Sequence, residues 1–122
     1  MGVFSLGKTL IAILGIGRGT WGHVNRLISE EEWEKILLIS NDWGQQNFSA
    51  VKPEKCEWIM VNNRSGFEVI KEAIKEKLPE NEICVSLISG SGKEHMALLA
   101  ALKEAGKDYK LVILTGDGTK YY

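Results

Sequence analysis

The sequence predicts an α/β fold, a single domain on a mainly parallel sheet of five to six strands with helices on both faces. Five short runs are apolar throughout instead of alternating, as strands covered on both faces are. Between them lie stretches with apolar residues three and four apart, the spacing of one helical face. Alternation of these two patterns marks strand–helix–strand units, and 122 residues hold one core but not two.

Residues 1–8 form a short lead-in. Gly2-Val3-Phe4-Ser5-Leu6-Gly7-Lys8-Thr9 fits the phosphate-loop pattern GxxxxGK[ST] letter for letter. That loop must follow a strand and open a helix; here a strand, Leu10-Ile11-Ala12-Ile13-Leu14, comes after it, so the match is rejected. The strand runs into Gly15-Ile16-Gly17-Arg18-Gly19-Thr20-Trp21-Gly22-His23. Thr20 is then an N-cap, and Trp21, Val24, Leu27 and Ile28 share one helical face. Ser29-Glu30-Glu31-Glu32 reads as a polar break, or as a capping box opening one more turn around Trp33. Lys35-Ile36-Leu37-Leu38-Ile39-Ser40 is the second strand. Residues 41–55 form a polar loop with room for a short helix, and Glu57-Trp58-Ile59-Met60-Val61 is the third strand.

Ser65 and Glu68 are spaced as a capping box before the stripe Phe67, Ile70, Ala73, Ile74 and Leu78, which Pro79-Glu80-Asn81 ends. The fourth strand lies in Ile83-Cys84-Val85-Ser86-Leu87-Ile88. A second glycine-rich turn follows, Ser89-Gly90-Ser91-Gly92-Lys93-Glu94-His95-Met96, with Ser91 and Glu94 again at capping-box spacing. Leu98, Leu99, Leu102 and Ala105 make the buried stripe of the next helix, and Gly106 is a natural C-terminal cap. Tyr109-Lys110-Leu111-Val112-Ile113-Leu114-Thr115 is the fifth strand. Gly116-Asp117-Gly118 is a hairpin turn into a short final strand over 119–122.

Composition narrows the function. With 44% hydrophobic and 25% charged residues this is an ordinary soluble chain. A formal net charge of −1 argues against long DNA or RNA, which needs a basic face, but leaves room for a small nucleotide. No apolar run reaches the ~20 residues of a membrane span, and no cleavable leader is visible, so a cytoplasmic location is expected. Cys56 and Cys84 are too few for a disulfide scaffold and are expected to be reduced.

A glycine-rich turn between a buried strand and a helix leaves backbone N–H groups unpaired, at the positive end of the helix dipole. Anions bind such places. In the common strand order 3-2-1-4-5 the first and fourth strands are neighbours at the reversal where ligands sit. Both turns then line one crevice. Lys93, in the first turn of its helix, is electrostatically misplaced by a few tenths to ~1 kcal/mol unless an anion or Glu94 offsets it. Arg18 is a second cation in the first loop, or a solvated surface residue. Gly15-x-Gly17-x-x-Thr20 is also a near miss to the dinucleotide fingerprint GxGxxG, with Asp42 where a ribose-binding acid would lie. A nicotinamide or flavin site therefore competes, against the displaced third glycine and the small size. Tight turns and close packing are the plain alternative for these glycines.

His23 and His95, near the two helix starts, read first as polar surface residues and second as phosphate contacts or proton relays. No Cys/His/Asp spacing supports zinc. Ser91 as a nucleophile is weaker, since its pairing with Glu94 already supplies a structural task. Trp33 and Trp58 read as core. Trp21 and Trp43 lie on the expected ligand edge, where either could stack a base, with core packing the first reading for Trp21; Met96 reads as packing beneath the loop.

Gly17-Arg18-Gly19-Thr20-Trp21 after the first strand, with Ser89-Gly90-Ser91-Gly92-Lys93-x-x-Met96 after the fourth, resembles the CARF domain family, the CRISPR-associated Rossmann fold. The resemblance runs from Leu10 to about Gly118, and its second motif is the more specific. It implies a Rossmann-like homodimer whose two pockets join into one site for a cyclic oligoadenylate, most simply tetra-adenylate, the second messenger of type III CRISPR systems. Carried over as ligand-lining positions are Gly17, Arg18, Gly19, Thr20 and Trp21, with Ser89, Gly90, Ser91, Gly92, Lys93, His95 and Met96; Asn41 and Asp42 join them by position alone. Family members usually carry a C-terminal effector, which this chain does not show. It then reads as a separated or stand-alone sensor, or as a ring nuclease. Ring opening holds the ribose 2′-OH in line with its phosphate and needs cations for the developing charge. Lys93 is the first choice for that role and Arg18 the second, with neither metal nor cofactor required.

Overall fold

The computed structural model describes residues 7–122. The elements run β1 (Lys8–Ile13), α1 (Trp21–Glu30), β2 (Lys35–Ser40), α2 (Asp42–Asn47), β3 (Cys56–Met60), α3 (Phe67–Lys75), β4 (Glu82–Ser86), α4 (Gly92–Glu104), β5 (Lys110–Thr115) and β6 (Gly118–Tyr121). Short 3-10 turns occupy Arg18–Thr20 and Pro53–Lys55. The sheet order is β3-β2-β1-β4-β5-β6. The first five strands are parallel, and β6 returns antiparallel to β5. This is the α/β, Rossmann-like, single-domain architecture that the alternating patterns predict.

The reason for the continuous apolar strands is visible along β1. Ile11 and Ile13 enter one core layer with residues of α3 and α4, including Ile70, Ile74, Leu98 and Leu102. Leu10, Ala12 and Leu14 enter the other, with Trp21, Val24, Leu27 and Ile28. Side chains alternate across the sheet, so a strand with helices on both faces is apolar at successive positions; Thr9 and Ser40, buried at the strand ends, are satisfied by Asn81 and the Leu14 carbonyl. The final hairpin is tied to the opposite end of β1. Lys8 Nζ donates to Tyr121 Oη (2.6 Å) and Glu31 Oε1 (3.1 Å), and the Tyr121 hydroxyl donates to the same carboxylate (2.6 Å). Across the far face, Lys71 joins α3 to α4 through Glu68 (2.8 Å) and Glu104 (2.7 Å).

Several local expectations are corrected. Trp33 opens no helical turn; α1 stops at Glu30, and the buried indole donates from Nε1 to the Leu27 carbonyl at 2.8 Å. The Ser65–Glu68 capping box does not form, because Gly66 is the N-cap of α3 and offers no side chain. Glu68 takes Lys71 instead. Thr20 stands at the N-cap of α1 without a side-chain bond. The Ser91–Glu94 box is present in full. On α4 the buried stripe is Ala97, Leu98, Ala101 and Leu102, with Leu99 and Ala105 only partly covered. Gly106, at φ 68°, closes the helix; its N–H bonds to the Lys103 carbonyl and that of Lys107 to Leu102. Of the rejected phosphate-loop match, Lys8 and Thr9 are strand residues of β1, while residues 2–6 lie outside the described ones. Trp58 is half-buried rather than core, and Met96 is 60% exposed rather than packed beneath its loop. Cys56 and Cys84 form no disulfide, and burial raises both thiols above their ordinary range. No helix among the described residues is long and apolar enough to cross a membrane.

Candidate functional site

The two glycine-rich loops leave neighbouring strands at the same edge of the sheet and touch each other. Gly15 N–H donates to Ser89 Oγ at 2.8 Å. The backbones are so close that a Cβ on Gly15 would stand 2.9 Å from Gly90 N and 3.1 Å from Gly90 Cα. Gly90 has φ 101°, a conformation that favours glycine, and a Cβ there would run into Ile13 Cγ2. The floor is therefore fixed by two residues without side chains, pressed together because nothing larger fits. The Trp21 indole braces the first loop from below, donating from Nε1 to the Gly15 carbonyl at 3.0 Å. At the end of β2, Ser40 Oγ donates to the Leu14 carbonyl (3.0 Å), and Asn41 Oδ1 accepts from Gly44 N–H (2.9 Å) as the cap of α2.

Above this floor opens a cleft of about 510 Å³. Of the candidate residues, Gly17, Gly19, Thr20, Asn41, Ser89, Gly90 and Ser91 line it, together with Leu14, Gly15, Ile16, Asn63, Ile88 and Glu94. Asn63 follows β3 in a polar segment with no pattern of its own; only the parallel order of β2 and β3 brings it to this edge. Glu94 was legible as a capping residue, but not as a wall of the cleft.

The remaining candidates sit around the rim. Lys93 Nζ donates to the carbonyls of Asn63 (3.0 Å) and Ser65 (2.8 Å), strapping α4 to the β3–α3 connection. Arg18 Nη2 donates to Asn47 Oδ1 at 3.0 Å, and its guanidinium lies over Trp21 and Trp43, 5.5 and 5.3 Å from the ring centroids. Neither cation is among the residues lining the cleft. Gly92 begins α4. His95 Nε2 donates to the Ser89 carbonyl at 2.8 Å, steadying the second loop from behind. Trp21 is 8% exposed and belongs to the core, whereas Trp43 is 40% exposed and stacks beside it at 5.5 Å. Asp42 lines an adjoining hollow over the ends of β2 and β3, which shares Asn41 and Asn63 with the cleft. His23 lies apart, at an apolar slot between the ends of β4 and β5, where strand pairing stops after Val85–Leu111. Among the described residues no group of three or more His, Cys, Asp or Glu is placed to hold a metal.

No family model and no curated protein matches the chain. Solved structures do. Protein VC1899 from Vibrio cholerae superposes with a TM-score of 0.67 at 17% identity, over 93% of this chain and 33% of that one. Csm6 from Enterococcus italicus, bound to cyclic hexa-2′-fluoro-hexa-dAMP, gives 0.58 at 17% identity, over 95% and 35%. A short-chain dehydrogenase/reductase from Veillonella parvula gives 0.58 at 13% identity, over 87% and 46%. The likeness is one of fold. This chain spans a third to under half the length of these proteins, and they share an architecture that carries many activities.

Proposed function

We propose that this chain binds a cyclic oligoadenylate, with two copies pairing so that their clefts face one ring. The observation that carries the reading is the contact of Gly15 with Ser89 and Gly90, which merges two glycine-rich turns into one cleft at the strand reversal. The N-terminal turn of α4 borders the cleft through Ser91 and Glu94, and phosphate is the anion that helix N-termini accommodate. Csm6, of like fold, is a protein whose structure holds a cyclic hexanucleotide. A pairing face is supported by Ile16 and Ile88, which line the cleft and are 66 and 49% exposed, apolar side chains that a second copy would cover. A two-fold pair presents each cleft twice, which matches a ring of even symmetry.

Lys93 is the residue to which charge stabilisation of ring opening is assigned, and Arg18 the second. For Lys93 to reach a phosphate its ammonium exchanges the Asn63 and Ser65 carbonyls for the ligand, so binding and release of that strap are coupled. The deciding experiment incubates the protein with cyclic tetra- and hexa-adenylate, followed by size exclusion and chromatography of the nucleotide. Intact ring co-eluting with a dimer is the expected result. Linear products, lost in Lys93→Ala, would add ring cleavage; absence of association removes the proposal.

A dinucleotide reading has one observation in its favour: Asp42 lines the hollow next to the cleft, where a ribose-binding acid would stand. A rise in melting temperature with NAD, and none with the rings, would select it.

A further inference from the structure

Glu94 is the charged residue among those lining the cleft, and its sign is the wrong one for an anion site. The side chain is 6% exposed. Oε1 accepts the Ser91 N–H at 2.8 Å, completing the capping box. Oε2 takes no hydrogen bond from the described residues, yet it is not among the buried side-chain atoms left without a partner. Glu94 lines the cleft, so this oxygen can accept a hydrogen bond from a ligand there. The cap needs only one oxygen, and glutamine fills that position equally well. The cap and the positive end of the helix dipole account for a carboxylate here, but they occupy only Oε1 and leave Oε2 without a bond from the described residues. The two nearby cations do not offset it inside the cleft, because Lys93 and Arg18 are turned to Asn63, Ser65 and Asn47.

An ionised carboxylate only accepts hydrogen bonds. Beside a phosphate it repels, unless the ligand offers it a proton. A nucleotide offers one at its ribose hydroxyls, a sugar's width from the phosphate. We infer that Glu94 Oε2 accepts a hydrogen bond from a ribose hydroxyl of the bound nucleotide, so that the cleft selects ribonucleotides over deoxyribonucleotides. The same charge disfavours a terminal phosphate, which carries about −1.5 to −2 at neutral pH, against a bridging phosphodiester with a single charge. The inference deepens the proposed function and rests on it, by naming the sugar and the phosphate linkage that this site takes.

The test measures binding of cyclic tetra-adenylate, its all-2′-deoxy counterpart, AMP and 2′-deoxy-AMP to the wild type and to Glu94→Gln. The variant keeps the cap, and its melting curve verifies the fold. The wild type should hold the ribo ring at least about tenfold more tightly than the deoxy ring, the lower range for a hydrogen bond to a charged group. In Glu94→Gln the ratio should fall to about threefold or less, while AMP gains on the ring. Equal binding of the two rings by the wild type, or an unchanged ratio in the variant, overturns the inference. If neither ring binds, the proposed function falls, and AMP against 2′-deoxy-AMP decides the role of Glu94. Binding of none of the four overturns both.

Discussion

Gly15→Ala and Gly17→Ala are the same substitution two residues apart in one loop, and the structure separates them sharply. At Gly15 the new Cβ would stand 2.9 Å from Gly90 N and 3.1 Å from Gly90 Cα. Both are backbone atoms, in a loop already held by the Gly15–Ser89 hydrogen bond, so the loops must separate. Overpacking of this kind costs about 1–3 kcal/mol. For a domain of 122 residues that corresponds to roughly 3–6 °C in Tm per kcal/mol. At Gly17 a Cβ meets nothing within 4 Å, and the backbone lies at φ −87°, ψ 130°, an ordinary extended conformation. Alanine there narrows the unfolded ensemble and should stabilise by about 0.4–1 kcal/mol. Because Gly17 lines the cleft, its alanine should nevertheless weaken ligand binding. Urea denaturation of both variants, with a ring-binding titration of each, reads the four quantities. A Gly15→Ala protein as stable as wild type, or a Gly17→Ala protein equally damaged, would refute the account of two loops pressed into one floor.

Tyr121→Phe removes the hydroxyl that bonds both Lys8 and Glu31 and leaves only their ion pair of 3.1 Å. The expected loss is about 1–2 kcal/mol in urea denaturation; an unchanged midpoint would mean that the hairpin is held by its pairing with β5 and not by the hydroxyl. Acid should weaken the fold in a defined window. The Tyr121 hydroxyl holds the Glu31 carboxyl below its ordinary value of 4.5, and Lys71, then Lys75, do the same for Glu104. Between those depressed values and 4.5 the unfolded chain binds more protons, so stability is full above 4.5 and is lost as pH falls through the window. Glu104→Gln should flatten that acid limb, and an acid limb identical to wild type would contradict the assignment. At the other extreme, Glu104 and Glu68 raise the Lys71 ammonium above 10.5. Its contribution therefore persists to that pH and is lost only in stronger alkali.

Strand and helix identity was written in the chain because burial on both faces leaves a local trace. Ile11 and Leu10 face opposite helical layers, and a run of successive apolar residues satisfies both. The Ser91–Glu94 cap was equally legible, since a capping box is a contact across three residues. The matching Ser65–Glu68 pair failed because a glycine one residue on took the capping position; spacing alone does not say where a helix begins.

The sequence by itself determined the α/β alternation, the strand order expected for it, and the presence of two glycine-rich turns at the ends of β1 and β4, all of which follow from local pattern and chirality. Only the tertiary structure decided which side chains line the cleft. Lys93 found carbonyls on the β3–α3 connection, Arg18 found two indoles and Asn47, and Glu94, lining the cleft, was left with one oxygen unbonded among the described residues. A long cation can satisfy its charge in any direction its stem reaches, and the partners that settle that direction are 29 and 30 residues away in the chain.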